Sequence, residues 1–599
     1  MRRSKSIVCA VLVLAAVLPL APPAHAEEAP APVPLTAWEY RHDPGDEGLA
    51  AGWAAGGPAD GWQPATVPHV LDPRPLAGNF GGTVAWYRTV VNPPPGGPGW
   101  IVRFGQARRS ASVWLNGVPI GANTDPYAPF EVRVPGPGLL VVRVENRRPG
   151  SVREGWWNWG GLTRPVTLVP AGAPRMEDLG VMPRIRCSRG ACRGSVLLDV
   201  TLVNDGAEAR PASVGLRVAS LDATIDAGVL APGESRRVRR ELAVPEPVEL
   251  WWPQSPRLYD ARVELRSGGA LSQAEQLRVG FRSVRVRRGM LTLNGRVLDL
   301  RGASIQEDVE GRGPALTDAD VERIVADLKE VGANVTRAHY ALDERLLRRF
   351  DEEGILVWNQ APVYHADRTL RRAAGRRQML SRVRSAVVAA RSHPSVITTS
   401  VANELAAKAD DMPGTRSFLD RAARLARALD PTRPVSLDVL SYPNIPYQRV
   451  YERFGMLGIN NYFGWYAGKP RYSTRDFGDL APYLRGMHER YPRHALVMTE
   501  FGAEALHDGD ARRKGTYSFQ ARYLARVLDV VDRARFLGGA IYWTLQEFAV
   551  KPGWDGGVGT AAGTQPDGIH KKGLISYDGA RKPAWQVAHD RFAATPLYR

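Results

Sequence analysis

The sequence predicts a three-part chain: an all-β sandwich, a second β sandwich whose size suits an immunoglobulin-like module, and a C-terminal (β/α)8 TIM barrel. Three observations carry this. Short alternating strands between Gly/Pro turns fill residues 37–170, and a second such series fills residues 175–285. After Asn294-Gly295 the period changes, and eight strands alternate with amphipathic helices. At 599 residues the chain has length for several cores. The expected boundaries are 1–26 for a targeting segment, then 35–172, 173–285 and 286–599.

Residues 1–26 read as a signal peptide. Arg2, Arg3 and Lys5 precede an apolar run from Ile7 to Leu20, and Ala24-His25-Ala26 is a small-x-small cleavage site. That run is short for a membrane span, and no later stretch is long and apolar enough. A mature chain starting near Glu27 is expected, secreted or periplasmic, with residues 27–34 as a flexible leader. In the first sandwich, Trp86 to Val91 is a strand, and Ser112 to Leu115 runs into Asn116-Gly117, a strong hairpin signal. Leu139 to Glu145 alternates as another strand. Trp156, Trp157 and Trp159 read first as packing residues and second as flat faces for a sugar ring. In the second sandwich the clearest strands are Val196 to Val203 and Ala261 to Leu265. It carries no constellation of polar groups and reads as a spacer.

The barrel begins with a strand at Val297 to Leu300. The helix from Asp318 to Val331 has a capping box, Thr317 with Asp320, an apolar face of Val321, Ile324, Val325 and Leu328, and a stop at Gly332. Strand 334–340, helix 343–353 and strand 355–358 follow, then a helix at 379–391. The β-branched run from Ser395 ends at Asn403-Glu404. A helix at 416–429, strands at 435–440 and 456–462, and a helix at 480–491 lead to a second apolar strand from Ala495, which ends at Glu500. A helix at 517–533, a strand at 540–543 and a helix from Pro583 complete the count, so Glu404 ends strand four and Glu500 ends strand seven.

Lys+Arg of 79 against Asp+Glu of 62 gives a net charge of +17. The excess is arginine spread along the chain. Runs such as Arg236-Arg237-Val238-Arg239-Arg240 read as solvated strand faces, no binding motif accompanies them, and no nucleic-acid partner is expected. Of three cysteines, Cys9 lies in the signal segment. Cys187 and Cys192 are expected to form a disulfide in an oxidising compartment, two free thiols being the alternative. Their spacing, with no His or Cys nearby, argues against zinc.

A carboxylate at the end of a buried strand is expensive to desolvate and points to chemistry there. Two of them at the carboxyl ends of barrel strands are what cleavage of a glycosidic bond needs: one gives a proton to the leaving oxygen, the other meets the cationic sugar. In a retaining enzyme the two carboxyl groups lie ~5–5.5 Å apart, and each controls the other's ionisation.

With those residues in view the chain resembles glycoside hydrolase family 2, over nearly all its mature length. Trp86-Tyr87-Arg88, Val113 to Gly117, and Gly160-Gly161-Leu162 with Arg164 are similar to the family's sugar-binding-type jelly roll. Leu250 to Pro253, Leu258-Tyr259 and Gly280-Phe281-Arg282 are similar to its immunoglobulin-like module. Leu293-Asn294-Gly295 and the stretch from Arg301 to Asp308 resemble its first barrel strand. The resemblance implies that Glu404 is the general acid/base and Glu500 the nucleophile. It implies that Asn403 bonds the sugar 2-hydroxyl, Tyr462 orients the nucleophile, and Trp543 is a sugar platform. His339, Asn460, Glu307 and Asp308 join the expected substrate-binding set, while Phe463 and Trp465 read as packing residues.

Local likeness is greatest to β-glucuronidases, which hold the sugar carboxylate with an Asn-x-Lys pair. Lys572 matches that lysine, and His570 stands in place of the asparagine; a cation and an imidazole can still clamp an anion. The arginine those enzymes carry nearby appears as Pro566. Gln306 replaces a histidine, the segment at Arg337 to Tyr340 is one residue shorter than usual, and Asn359-Gln360 replaces Asp-Glu. Val363-Tyr364-His365 lacks the acidic ligands of metal-dependent galactosidases, so no metal or other cofactor is expected. The expectation is an exported, exo-acting, retaining β-glycosidase, β-glucuronidase-like or β-galactosidase-like, acting on a carbohydrate or glycoconjugate. Its oligomeric state is left open. A non-catalytic carbohydrate-binding protein on the same scaffold, and an adhesion module built on the β domains, are the rival readings.

Overall fold

A computed structural model describes residues 30–599, apart from 96, 151, 189–190, 443–444, 470–471 and 555–567. The signal segment, Cys9 and Pro566 lie outside the described residues.

The first sandwich packs a six-stranded sheet on a four-stranded one. Trp38, Tyr87, Phe104, Val113, Val142 and Leu168 fill the space between them. The hairpin at Asn116-Gly117 forms as expected: Leu115 faces Val118, and both turn residues have positive φ, 51° and 81°, which suits Asn-Gly. The leader reading is corrected at its end, because Val33 and Pro34 pair with Leu168 and Thr167 as an edge strand. The second sandwich has sheets of three and four strands around Val196, Leu198, Val200, Val214, Val263 and Phe281. Cys187 and Cys192 face each other across its first hairpin and are joined by a disulfide. The arginines of the 236–240 run are engaged there: Arg236 pairs with Glu234, and Arg237 with Asp199.

The closed barrel has eight parallel strands: β1 (Leu300–Ala303), β2 (Val335–Arg337), β3 (Leu356–Gln360), β4 (Val396–Leu405), β5 (Val435–Leu440), β6 (Met456–Asn460), β7 (Ala495–Glu500) and β8 (Leu537–Tyr542). The strand period of two sends one set inward. Leu300, Val335, Leu356, Trp358, Ile397, Met456, Val497 and Ile541 form a plug at the bottom, closed by Leu291, Leu293 and Trp251. Outward residues meet the helices. On helix Asp318–Glu330 the capping box forms, and Val321, Ile324, Val325 and Leu328 are buried, each contributing about 1.5–3 kcal/mol. The helix expected at 379–391 runs Ala373–Ala390. Its first turns are Arg- and Gly-containing and lack an apolar stripe, so the periodicity hides its start.

Below the barrel, His393 sits with Nδ1 2.6 Å from Asp351 and Nε2 3.1 Å from Glu344. Burial opposes its charge, but the two carboxylates outweigh burial and hold the ring up to about 10. The folded value lies above the ordinary ~6.5. The charged pair therefore stabilises fully below about 6.5, and its contribution is lost as pH rises toward about 10. Thermal midpoints measured across that window should fall with pH, and His393→Gln should flatten the fall; equal slopes would count against this pairing.

Candidate active site

Adjacent strand residues normally face opposite ways. Asn403 and Glu404 nevertheless both enter the mouth of the barrel. The pairing of β4 with β5 slips between Asn403 and Leu405, and Glu404 takes a left-handed backbone, φ 50°. A similar slip between Gly458 and Asn460 lets β7 present both Thr499 and Glu500.

Asn460 is the centre of the site. Its Nδ2 donates toward Asn403 Oδ1 (2.9 Å), Glu404 Oε1 (3.1 Å) and Glu500 Oε2 (3.0 Å), while its Oδ1 accepts from the Thr499 hydroxyl (2.8 Å). Two carboxylate oxygens bound to one nitrogen can be no more than about 6 Å apart, compatible with the ~5–5.5 Å of a retaining pair. Tyr462 donates its hydroxyl to Glu500 Oε1 at 2.6 Å. Arg337, fully buried, bonds Glu500 Oε2 (3.2 Å), Asn403 Oδ1 (2.8 Å) and Asp438 Oδ2 (3.0 Å). Asp438 in turn accepts from Trp358 and Gln360. The Nδ2 of Asn403 is buried without a protein partner among the described residues and is a free donor at the mouth.

His339 lies between the rings of Trp156 and Trp543, with Nε2 3.9 Å from Glu500 and Nδ1 2.8 Å from Gln360. Burial, then the Arg337 charge, push it well below its ordinary value, so it is neutral. Trp543 also packs on Phe548 and donates to His570 Nε2 at 3.3 Å. His570 is likewise held neutral, by burial and then the Lys572 charge. Lys572 is fully buried; its Nζ donates to the Tyr466 hydroxyl at 2.7 Å, lies 3.5 Å from Glu504, and sits over the Tyr462 ring. The barrel thus gathers Glu404, Glu500, Asn403, Asn460, Tyr462, His339, Trp543, His570 and Lys572 in one region.

Two residues of the expected substrate set are engaged with protein groups away from the Asn460 centre. Glu307 accepts from Arg164 (2.8 Å) and from the Asp343 amide (2.5 Å). Asp308 accepts from Trp159, the Ala549 amide and the Tyr577 hydroxyl. Both are spent tying the first sandwich to the barrel. Burial, outweighing those donors, raises Asp308 to about 6. Phe463 and Trp465 are fully buried packing residues, as expected. Trp156, Trp157 and Trp159 are also buried, though Trp156 stacks on His339 and so carries the first sandwich to the edge of the site.

Sequence reading missed Arg337, Asp438 and His365 as site residues. The signal to be found was a charge inside a short apolar strand, as in Val435-Ser436-Leu437-Asp438-Val439-Leu440. Burial, then the charge of Glu404, raise Glu500 to about 7 against the pull of Arg337 and Tyr462. Burial also works against the Glu404 anion, but the hydrogen bond and charge of His365 win and hold Glu404 below its ordinary value.

A barrel that poises two carboxyl groups in this way, one able to give a proton and one able to meet a cationic sugar, belongs to the glycoside hydrolases, and this chain is one of them. The family description "Glycosyl hydrolases family 2, TIM barrel domain" matches residues 284–549, and "Glycosyl hydrolases family 2" matches residues 185–282. The chain belongs to glycoside hydrolase family 2. It is similar to a β-glucuronidase of Paenibacillus borealis, 27% identical over 569 residues, covering 86% of this chain and 90% of that one. The human β-glucuronidase is 25% identical over 506 residues, covering 75% and 73%. In fold it resembles a β-galacturonidase from Eisenbergiella tayi solved with galacturonate, with TM-score 0.80, 24% identity, and 95% and 98% of the two chains covered.

Proposed function

We propose that this hydrolase is an exo-acting, retaining β-glycosidase that removes terminal β-linked uronic acids by double displacement. The observation that carries the retaining mechanism is the sharing of the Asn460 amide by Glu404 and Glu500. In the first step Glu500 Oε bonds to the anomeric carbon. The glycosidic bond breaks, its electron pair goes to the leaving oxygen, and that oxygen takes the proton of Glu404. In the second step Glu404 takes a proton from water, the water oxygen bonds to the anomeric carbon, and the ester electron pair returns to Glu500. Three donors, Tyr462, Arg337 and Asn460, converge on Glu500 and favour its anion. Asn403 Nδ2, buried with no protein partner among the described residues, supports donation to the sugar 2-hydroxyl, a bond that strengthens as charge develops.

The uronate preference is supported by Lys572, buried beside Tyr462, and by the names of the curated relatives. A neutral hexose is the second reading, favoured by Glu504, which already balances the Lys572 charge. Initial rates on a panel of aryl β-glycosides, with glucuronide, galacturonide and galactoside members, decide between them. Lys572→Met should cut kcat/KM on the preferred uronide about 10–100-fold, the worth of one charge-assisted bond, and change the galactoside little. Equal losses on both would remove uronate recognition from the proposal. Export is part of the same proposal, supported by the basic, apolar and small-residue order of residues 2–26. Amino-terminal sequencing of the protein from culture medium or periplasm tests it.

A further inference from the structure

The loop after β3 brings one more titratable group to the acid/base, a group outside the two displacement steps. His365 Nε2 lies 3.1 Å from Glu404 Oε2, the carboxylate oxygen that Asn460 does not bond. The loop is fixed for this contact. The Asn403 amide donates to Val363 O (2.8 Å), the His365 amide donates to Asn403 O (3.2 Å), and the Tyr364 ring packs edge-on to His365 at 4.3 Å. His365 has a left-handed backbone, φ 44°, as Glu404 does, so the two side chains are turned toward each other by unusual backbone on both sides. The imidazole is 38% exposed while Glu404 is 10% exposed, so His365 connects the buried carboxyl to solvent.

We propose that His365 and Glu404 act as one proton-holding unit, His365 being the positioning residue that orients the acid/base and stores its proton. This rests on the double-displacement reading above. The reaction needs a proton on Glu404 and none on Glu500. The groups facing His365 are Glu404 on β4, Glu500 on β7, neutral His339 from the end of β2, and Tyr364 of its own loop. Arg337 and Tyr442 act on it through Glu404. Burial opposes the imidazolium, but Glu404 outweighs burial and raises the His365 value. The unit therefore carries its proton mainly as imidazolium and carboxylate. Moving that proton from Nε2 to Oε2 makes the general acid and leaves a neutral ring. After the leaving oxygen takes it, the water of the second step returns one proton to Glu404, so the count closes without an outside donor.

Two interacting sites release their last proton at a value no lower than either site would show alone. The unit therefore keeps its proton to higher pH than Glu404 would by itself. The test is the pH profile of kcat/KM for wild type, His365→Gln and His365→Ala, each on an activated aryl glycoside and on an alkyl glycoside. Gln keeps an N–H for Glu404 but does not titrate. It should move the basic limb to lower pH by roughly half a unit or more while keeping the leaving-group dependence. Ala should move the limb likewise and also lose about 10-fold or more on the alkyl glycoside alone. A basic limb in the Gln variant that superimposes on wild type overturns the proposal, and Gln carries the test if Ala fails to fold. Failure of the underlying reading looks different: wild type would then hydrolyse no β-glycoside at all, or would give a product of inverted configuration.

Discussion

Glu500→Gly should lose turnover by on the order of 10⁴-fold or more on every substrate, the largest effect expected anywhere in the chain. In the proposed mechanism the carboxylate forms the bond to the anomeric carbon, and among the described residues no other carboxylate meets the same three donors. Tyr462, Arg337 and Asn460 all aim at that carboxylate, so its removal leaves three donors facing a cavity rather than a substitute nucleophile. The cavity is the basis of a sharper expectation. Azide or formate placed there is held by the same donors and attacks the sugar from the nucleophile's side. Its product should have inverted configuration, because one displacement has replaced two. Nuclear magnetic resonance of the product reads this directly. Full activity without added anion, or rescue with retained configuration, would remove Glu500 from the role.

Glu404→Ala should divide substrates by their leaving groups. An alkyl or sugar alcohol needs its oxygen protonated as the bond breaks, and there kcat/KM should fall about 10²–10⁴-fold. A dinitrophenolate leaves unaided, so its first step is spared and the glycosyl-enzyme accumulates, visible as a burst of phenolate followed by slow release. Azide should speed the second step, since it needs no general base, and should give a product of retained configuration. The contrast with Glu500→Gly separates the two carboxyl groups although they share one donor. A uniform loss across leaving groups would sink the assignment of Glu404 as the acid.

Besides the proton of the His365 and Glu404 unit, the free site is part-protonated on Glu500 near neutrality, its value being about 7, and kcat/KM should rise as that proton leaves. Its acid limb therefore belongs to Glu500. The basic limb belongs to Glu404 with His365, which is why the two histidines of the mouth have separate roles. His339 is enclosed by Trp156 and Trp543 and stays neutral, whereas His365 reaches solvent and takes charge from Glu404.

Much of the barrel was legible because its signals are local. Thr317 and Asp320 cap a helix wherever that helix lies, Asn116-Gly117 turns a hairpin by its own φ preferences, and a β-branched run ending in glutamate marks a strand end that has work to do. The strand ends that bring Glu404 and Glu500 to one donor were readable for that reason, whereas Tyr462, which bonds Glu500, was named only through the family resemblance. The partners of Glu307 and Asp308 were not legible, because a buried acid looks the same in sequence whether it meets a sugar or an arginine. Only the docking of the first sandwich supplies Arg164 and Trp159 and makes those carboxylates structural. Asp438 and Arg337 went unnoticed as a pair because 101 residues separate them, and their bond exists only where β2 and β5 cross the same interior.

Local patterns along the chain suffice for the order of domains, the strands and helices of the barrel, and the positions of two acids at strand ends, since periodicity and capping act over a few residues. Which polar groups meet is settled only when the fold closes. Closing eight strands brings Asn460 between two glutamates that lie 96 residues apart in sequence by their numbering, and slips of one residue in strand pairing turn neighbours such as Asn403 and Glu404 into the same space. Hydrogen bonds and charge interactions are felt over a few ångströms, and those distances are set by the closed barrel rather than by spacing along the chain.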